Sequence, residues 1–144
     1  MAEPTEAIQH FFEAIIEKRA DAIIAHYADA TTTYVFVEGP RWSTLGFQHI
    51  ANGWRAFVAA PLTIQSCQWS EGPLNQTIGN IAWLAGIVEL VVQVHEQIKA
   101  LRLRSTFILV RHEDDAWYIV HEHLSLPAND PYGIGDWLPQ GEQN

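Results

Sequence analysis

The sequence predicts an α+β chain in which helices come first and a curved antiparallel sheet follows. Three observations carry this reading. Apolar residues recur at helical spacing over residues 5–18 and again over 47–59. From Leu62 onward the pattern changes to long β-branched and aromatic runs broken by turn residues. Helical segments followed by strands, rather than alternating with them, is the α+β order.

In the first helix, Ile8, Phe11, Phe12, Ile15 and Ile16 fall at i, i+3, i+4, i+7 and i+8 and form one apolar face. Pro4 and Thr5 suit its start, and Glu6 lies in the first turn, where the helix dipole favours negative charge. A short second helix from about Ala20 to Tyr27 turns Ile23, Ile24 and Tyr27 inward. Residues 31–37, TTTYVFV, read as a strand ended by Glu38-Gly39-Pro40. A third helix from about Phe47 to Ala59 carries Phe47, Ile50, Ala51, Trp54, Phe57 and Val58 on one stripe, and Pro61 ends it. Strands follow over 62–70, 76–95, 98–112 and 116–126, with Gly72-Pro73 and Glu113-Asp114-Asp115 as turns. The 76–95 run is long for one strand, which predicts a bend at Gly86. The tail from Pro127 reads as a loop, with Tyr132, Trp137 and Leu138 available to anchor it. A sheet wrapped over the first helix would bury its stripe and leave a hollow between sheet and helices.

Length and charge bound the function. A chain of 144 residues suits a single domain, 1–144, with one sizeable core. The formal charge of −9 opposes nucleic acid or an anionic membrane as partner, since both need basic patches. Cys67 is the only cysteine, so no internal disulfide forms, and a buried structural thiol is expected. The acidic start MAEPTEAIQHFF lacks the features of a signal peptide. The longest apolar run, IAWLAGIVELVVQV, is interrupted by Glu89 and suits a buried strand better than a membrane span. Together these predict a cytoplasmic location.

The segment 104–125, RSTFILVRHEDDAWYIVHEHLS, holds the polar residues of interest. By strand alternation Arg104, Thr106 and Ile108 share a face, and Trp117, Ile119, His121, His123 and Ser125 share another. Polar groups on an apolar sheet face are costly unless paired or wetted, which predicts a concave, partly wet pocket. Arg104 would bind a carboxylate or polarised oxygen of a ligand, or form an ion pair with Glu89. His121 and His123 would act as base and hydrogen-bond donor, or be held within the sheet or a dimer interface. With Glu89 they would also compose two histidines and a carboxylate, an iron-binding set. The spacing alone is weak support for that, and no metal or cofactor is predicted. Glu89 shares parity with Trp83, Ala85, Ile87 and Val91 and is a base or acid, or the partner of Arg104. Trp42, Trp69 and Trp83 would pack in the core or line an apolar pocket, with Trp117 packed at the start of the sheet. The expected catalytic candidates are therefore His123 and Glu89. The expected ligand-binding set is Arg104, His121, His123, Glu89, Trp83 and Trp42.

The element order resembles the nuclear transport factor 2-like superfamily and, within it, the SnoaL-like branch. The segment from Arg104 to Pro127 also resembles the end of the association domain of calcium/calmodulin-dependent kinase II. The shared features are an Arg-bearing strand, a turn, a strand opening with Trp, then His-x-His and a small polar residue. Here these are Arg104, Trp117, His121, His123 and Ser125. The resemblance implies a cone-shaped sheet on three N-terminal helices, a cystatin-like α+β roll, and a homodimer built through the sheet. It does not imply one activity, because members include ketosteroid isomerase, polyketide cyclases, limonene epoxide hydrolase, dehydratases and non-enzymatic association domains. In isomerase-like members a Tyr on the first helix and an Asp on the first strand do the chemistry. Sliding this sequence onto that pattern places Phe11 and Val35 at those positions, which can neither donate a hydrogen bond nor take a proton. A slip of one residue would instead offer Tyr34, on the opposite face.

Two functions are thus expected. The first is a small-molecule-binding or association domain with a pocket in the cone, partnered by itself and by a small organic ligand. The alternative is a lyase, isomerase or hydrolase acting on a small apolar carbonyl or carboxylate compound, with His123 or Glu89 as base and Arg104 as stabiliser.

Overall fold

A computed structural model describes residues 2–138. Three helices, α1 (Pro4–Ile16), α2 (Ala20–Ile24) and α3 (Phe47–Ala59), pack on one face of a six-stranded sheet. The strands are β1 (Tyr34–Phe36), β2 (Thr44–Leu45), β3 (Leu62–Ile78), β4 (Ile81–Val94), β5 (Gln97–Arg111) and β6 (Trp117–Ser125). Their spatial order is β2-β1-β6-β5-β4-β3. All neighbours are antiparallel except β1 and β6.

The helices form where the apolar spacing places them. Pro4 opens α1, where a missing N–H costs nothing, and Ile8, Phe11, Phe12 and Ile15 are buried against the sheet. α2 is shorter than the sequence implies. The chain turns after Ile24 so that Tyr27 can bridge to Ile119 of β6 and reach the centre of the core. β1 shrinks to three residues because Thr33 turns inward and donates its hydroxyl to the Ala28 carbonyl, 2.8 Å away. The two-residue β2, absent from the sequence reading, pairs with β1.

The Gly72-Pro73 turn is a correction. β3 runs through these residues, and the register shifts around Glu71 absorb them as a bulge. β3 is an edge strand, so a proline without an N–H does not break an inner ladder. The predicted bend at Gly86 belongs to this bulge. A Cβ on Gly86 would lie 2.3 Å from the Glu71 carbonyl oxygen, so only glycine lets the bulged strand approach. The β3–β4 turn is instead Gly79-Asn80, with Gly79 at φ +59°.

On β4 and β5 one alternation set faces the helices. Leu84 and Val88 pair across the sheet with Phe107 and Leu103; Leu84, Val88 and Phe107 join the stripe of α1 in one core, and Leu103 is buried beside them. No helix among the described residues is long and apolar enough to cross a membrane.

Candidate functional site

The last strand does not keep one alternation along its length. Leu109 pairs with Ile119 and Ile108 with His121, so β6 has an extra residue at Val120. That bulge reverses parity. Trp117 and Ile119 point into the core before it, while Glu122 is the buried residue after it. The expectation that His121 and His123 share a face with Trp117 and Ile119 is therefore corrected. The two histidines lie on the outer face of the sheet, away from the helices.

Arg104 lies on that outer face too. It pairs with Ser125, Thr106 pairs with His123 and Ile108 with His121, so the predicted polar residues of β5 and β6 do come together. They meet on the outer side rather than in a hollow against the helices. Arg104 donates through Nη2 to the Ser125 hydroxyl (3.1 Å) and to the Leu126 carbonyl (3.2 Å). His121 donates through Nδ1 to the Tyr34 carbonyl, 2.6 Å away, and Phe36 packs edge-on against both histidine rings. Glu89 is two strands from the histidines. It stands opposite Arg102, while Arg104 stands opposite Ile87, so the expected Glu89–Arg104 pair is not formed. Among the described residues no three metal-ligating side chains converge. Trp83 is on the outer face beside Gln76 and Ile108, and Trp42 is 96% exposed in the loop after β1. Trp69 faces inward, against Phe12 and Phe107.

The inner face holds a polar constellation that the sequence reading did not single out. Glu122 is 2% exposed and accepts a hydrogen bond on Oε1 from the Tyr27 hydroxyl. Trp54, on the inward stripe of α3, donates its indole N–H to the Tyr27 oxygen at 2.9 Å. An indole can only donate, so Tyr27 accepts there and directs its own proton to Glu122. Burial pushes the Glu122 pKa up to about 8, and the nearby charge of Glu38 adds to this, against the opposing effect of the Tyr27 bond. The carboxyl is thus neutral at pH 7. Since Oε1 is occupied as an acceptor, the proton resides on Oε2. Among the described residues that oxygen makes no hydrogen bond. A buried acid with an uncommitted O–H therefore stands on the inner face.

The surroundings of this group grade from closed to open. At the α1 end of the inner face Leu84, Phe107 and Leu109 are completely buried. Toward the start of β3 and β5, Cys67, Ile64, Leu90 and Val92 keep slight exposure, and Leu101, Leu124, Trp54 and Phe57 are only partly buried. Glu38, just beyond β1, is half-buried. Burial raises its pKa, and its charge in turn raises those of Glu122, Tyr27 and Cys67. The Cys67 thiol is pushed up to about 12, chiefly by burial, which makes it an inert wall residue as expected. Phe11 and Val35 are buried on this same inner side, and Tyr34 faces outward.

Two surface hollows lie elsewhere, one of about 590 Å³ around Asn80, Arg111 and His112 and one of about 360 Å³ at the start of α3. Neither is lined by a residue expected from the sequence to form the site. A signal for Glu122 did exist, as a carboxylate inside the apolar strand WYIVHEHL. Only the bulge at Val120 decides that it points inward.

Comparison with known proteins agrees with this architecture. The SnoaL-like domain family profile matches residues 5–129. No curated protein matches significantly. A nuclear transport factor 2-like superfamily protein from Salmonella enterica serovar Typhimurium superposes with a TM-score of 0.76 at 20% identity, over 92% of this chain and 94% of that one. A Thiobacillus denitrificans protein described as a calcium/calmodulin-dependent protein kinase type II association domain gives 0.72 at 18%, over 89% and 98%. A ketosteroid isomerase-like protein from Erwinia carotovora gives 0.69 at 14%, over 85% and 94%. At these identities the likeness concerns the fold. With the profile match spanning most of its length, the chain belongs to the SnoaL-like domain family and has the cone-shaped nuclear transport factor 2-like fold.

Proposed function

We propose that the protein binds a small, mostly apolar molecule bearing a carbonyl group inside the cone. Glu122 donates a hydrogen bond to the carbonyl oxygen, and Glu38 serves as base in a proton transfer of isomerase or dehydratase type. The observation that carries this is the buried Glu122 carboxyl, whose Oε1 accepts from Tyr27 while its second oxygen makes no hydrogen bond to a described residue. Its O–H would strengthen its bond as negative charge develops on a ligand oxygen. Two carboxyls in different surroundings, one almost fully buried and one half-buried just beyond β1, would divide the work of acid and base. Names of structural neighbours such as the ketosteroid isomerase-like protein support this reaction class without fixing a substrate.

The test is titration with a panel of apolar aryl ketones, followed by tryptophan fluorescence. Glu122→Leu is expected to abolish binding, whereas Glu122→Gln, which keeps an N–H donor, retains it. Equal binding by the wild type and Glu122→Leu refutes the assignment.

A second reading concerns the outer face and rests on a separate observation. Trp83, Ile87, Val91, Ile108, Val110 and Val120 share the outer side of β4–β6 and stay only partly buried. We infer that two copies pair through this face as a homodimer. The residues expected to bind ligand, Arg104, His121, His123, Glu89 and Trp83, then serve association, and Trp42 serves neither site. Sedimentation equilibrium tests this, with Ile108→Glu expected to yield monomer.

A further inference from the structure

Tyr27 just after α2, Trp54 on α3 and Glu122 on β6 meet in one hydrogen-bonded chain. Trp54 stands edge-on to Phe11, with ring centres 5.9 Å apart, and to Phe57, at 5.5 Å. Held between these rings, its indole N–H rests on the Tyr27 oxygen, 2.9 Å away. Tyr27 is buried and is itself edge-on to Phe11. Among the described residues its hydroxyl bonds only to Trp54 and Glu122.

A protonated carboxyl and a phenol can bond in either direction. In one, the phenol donates and the acid keeps its O–H for a third group. In the other, the acid donates and its remaining oxygen is a carbonyl that can only accept. Trp54 removes this freedom. Its N–H occupies an acceptor site on the Tyr27 oxygen. If Glu122 donated there as well, the Tyr27 proton would be stranded in an apolar interior, a costly state for a buried polar group. Only the first direction satisfies all three groups, and it makes the uncommitted oxygen of Glu122 a donor. The other buried polar side chains among the described residues, Thr33 and Ser105, donate to the carbonyls of Ala28 and Leu103, at 2.8 and 2.9 Å. We propose that Trp54 is a positioning residue that makes the inner site select hydrogen-bond acceptors. By directing the Tyr27 proton onto Glu122 it reserves the free O–H of Glu122 for a ketone or aldehyde oxygen and disfavours the alcohol of the same skeleton. An alcohol can accept that bond, but it brings a proton for which Glu122 in this state has no acceptor. The inference rests on the reading of the inner face as a carbonyl-binding site and adds the residue that sets its preference.

The test is isothermal titration calorimetry of the full chain with acetophenone and propiophenone, each against the alcohol formed by its reduction. The wild type is expected to bind each ketone about tenfold or more tightly than its alcohol. Trp54→Phe keeps an aromatic ring between Phe11 and Phe57 but loses the N–H, so both directions open and the turned acid can accept the alcohol proton. Its ketone-to-alcohol preference should fall by about fivefold or more, toward unity. A purely structural indole would weaken ketone and alcohol alike and leave their ratio unchanged, and that result overturns the proposal. A wild-type ratio near unity overturns it without recourse to a variant. If Glu122→Leu abolishes ketone binding while Trp54→Phe keeps the wild-type ratio, the role of Trp54 falls and the carbonyl site stands. If Glu122→Leu binds the ketones like the wild type, or the wild type binds neither compound, both fall.

Discussion

The two faces of β5 have the same backbone and opposite fates. Leu103, Ser105, Phe107 and Leu109 point to the helices and are buried almost completely, with the Ser105 hydroxyl returned to the Leu103 carbonyl at 2.9 Å. Arg102, Arg104, Thr106, Ile108 and Val110 point outward and keep contact with water. The inner face is completed by this chain's own α1 and α3. The outer face is apolar at its centre and charged at one end, and nothing within the described chain covers it. Polar groups follow the same division. Inside, Glu122 is held by a designated donor and kept neutral by burial. Outside, Arg104 and the two histidines stay solvated, with spare hydrogen-bonding capacity.

Breaking this contrast begins with neighbours on one strand. Phe107→Ala should cost about 3–5 kcal/mol in urea unfolding, because a buried aromatic leaves a cavity. Ile108→Ala, one residue along, should change monomer unfolding by less than about 1 kcal/mol. Equal effects would mean that the outer face is covered within the monomer.

The next effect is that of pH. Folded Glu122 keeps its proton to about pH 8, against an ordinary value of 4.5, so between these values the folded state binds the additional proton. Stability therefore falls as pH rises through that window and levels off above it, by on the order of 5 kcal/mol. Glu38, also raised, contributes in the same direction. His26 is lowered from 6.5 by burial, so the unfolded chain protonates it first, and stability falls instead as pH drops below that value. Thermal unfolding from pH 5 to 9 should thus show a fall in stability between about pH 5 and 8 that levels off above it and that Glu122→Gln removes.

Tyr27→Phe strips Glu122 of its donor and leaves the Trp54 N–H without an acceptor, at a cost of about 1–3 kcal/mol. It should also move the Glu122 titration upward, since the Tyr27 bond holds that pKa down, and carboxyl ¹³C shifts would report this. Smallest is Arg104→Ala, expected within about 0.5 kcal/mol in monomer unfolding, because an exposed side chain loses two solvent-accessible bonds.

Much of the fold was legible from the chain. The apolar stripe of α1 and the start and stop of α3 follow from spacing and from Pro4 and Pro61, signals that act within a few residues. The Arg-strand and His-x-His segment correctly marked where β5 and β6 pair. Its facing was misread because alternation is counted residue by residue, and one extra residue at Val120 inverts everything after it. Glu122 went unremarked for the same reason, and Trp42, read as a pocket wall, stands in a solvent-exposed loop. Gly72-Pro73, elsewhere a reliable turn, became a bulge because an edge strand has an unpaired side to place it on.

By itself the sequence determined the order of helices and strands, the residues that must leave water, and the absence of any internal disulfide, since these depend on local periodicity and composition. Only the tertiary structure decided which polar side chains turned inward. Facing on a sheet depends on register between strands distant in the chain, and the low-polarity interior reached through that register is what leaves Glu122 a neutral acid.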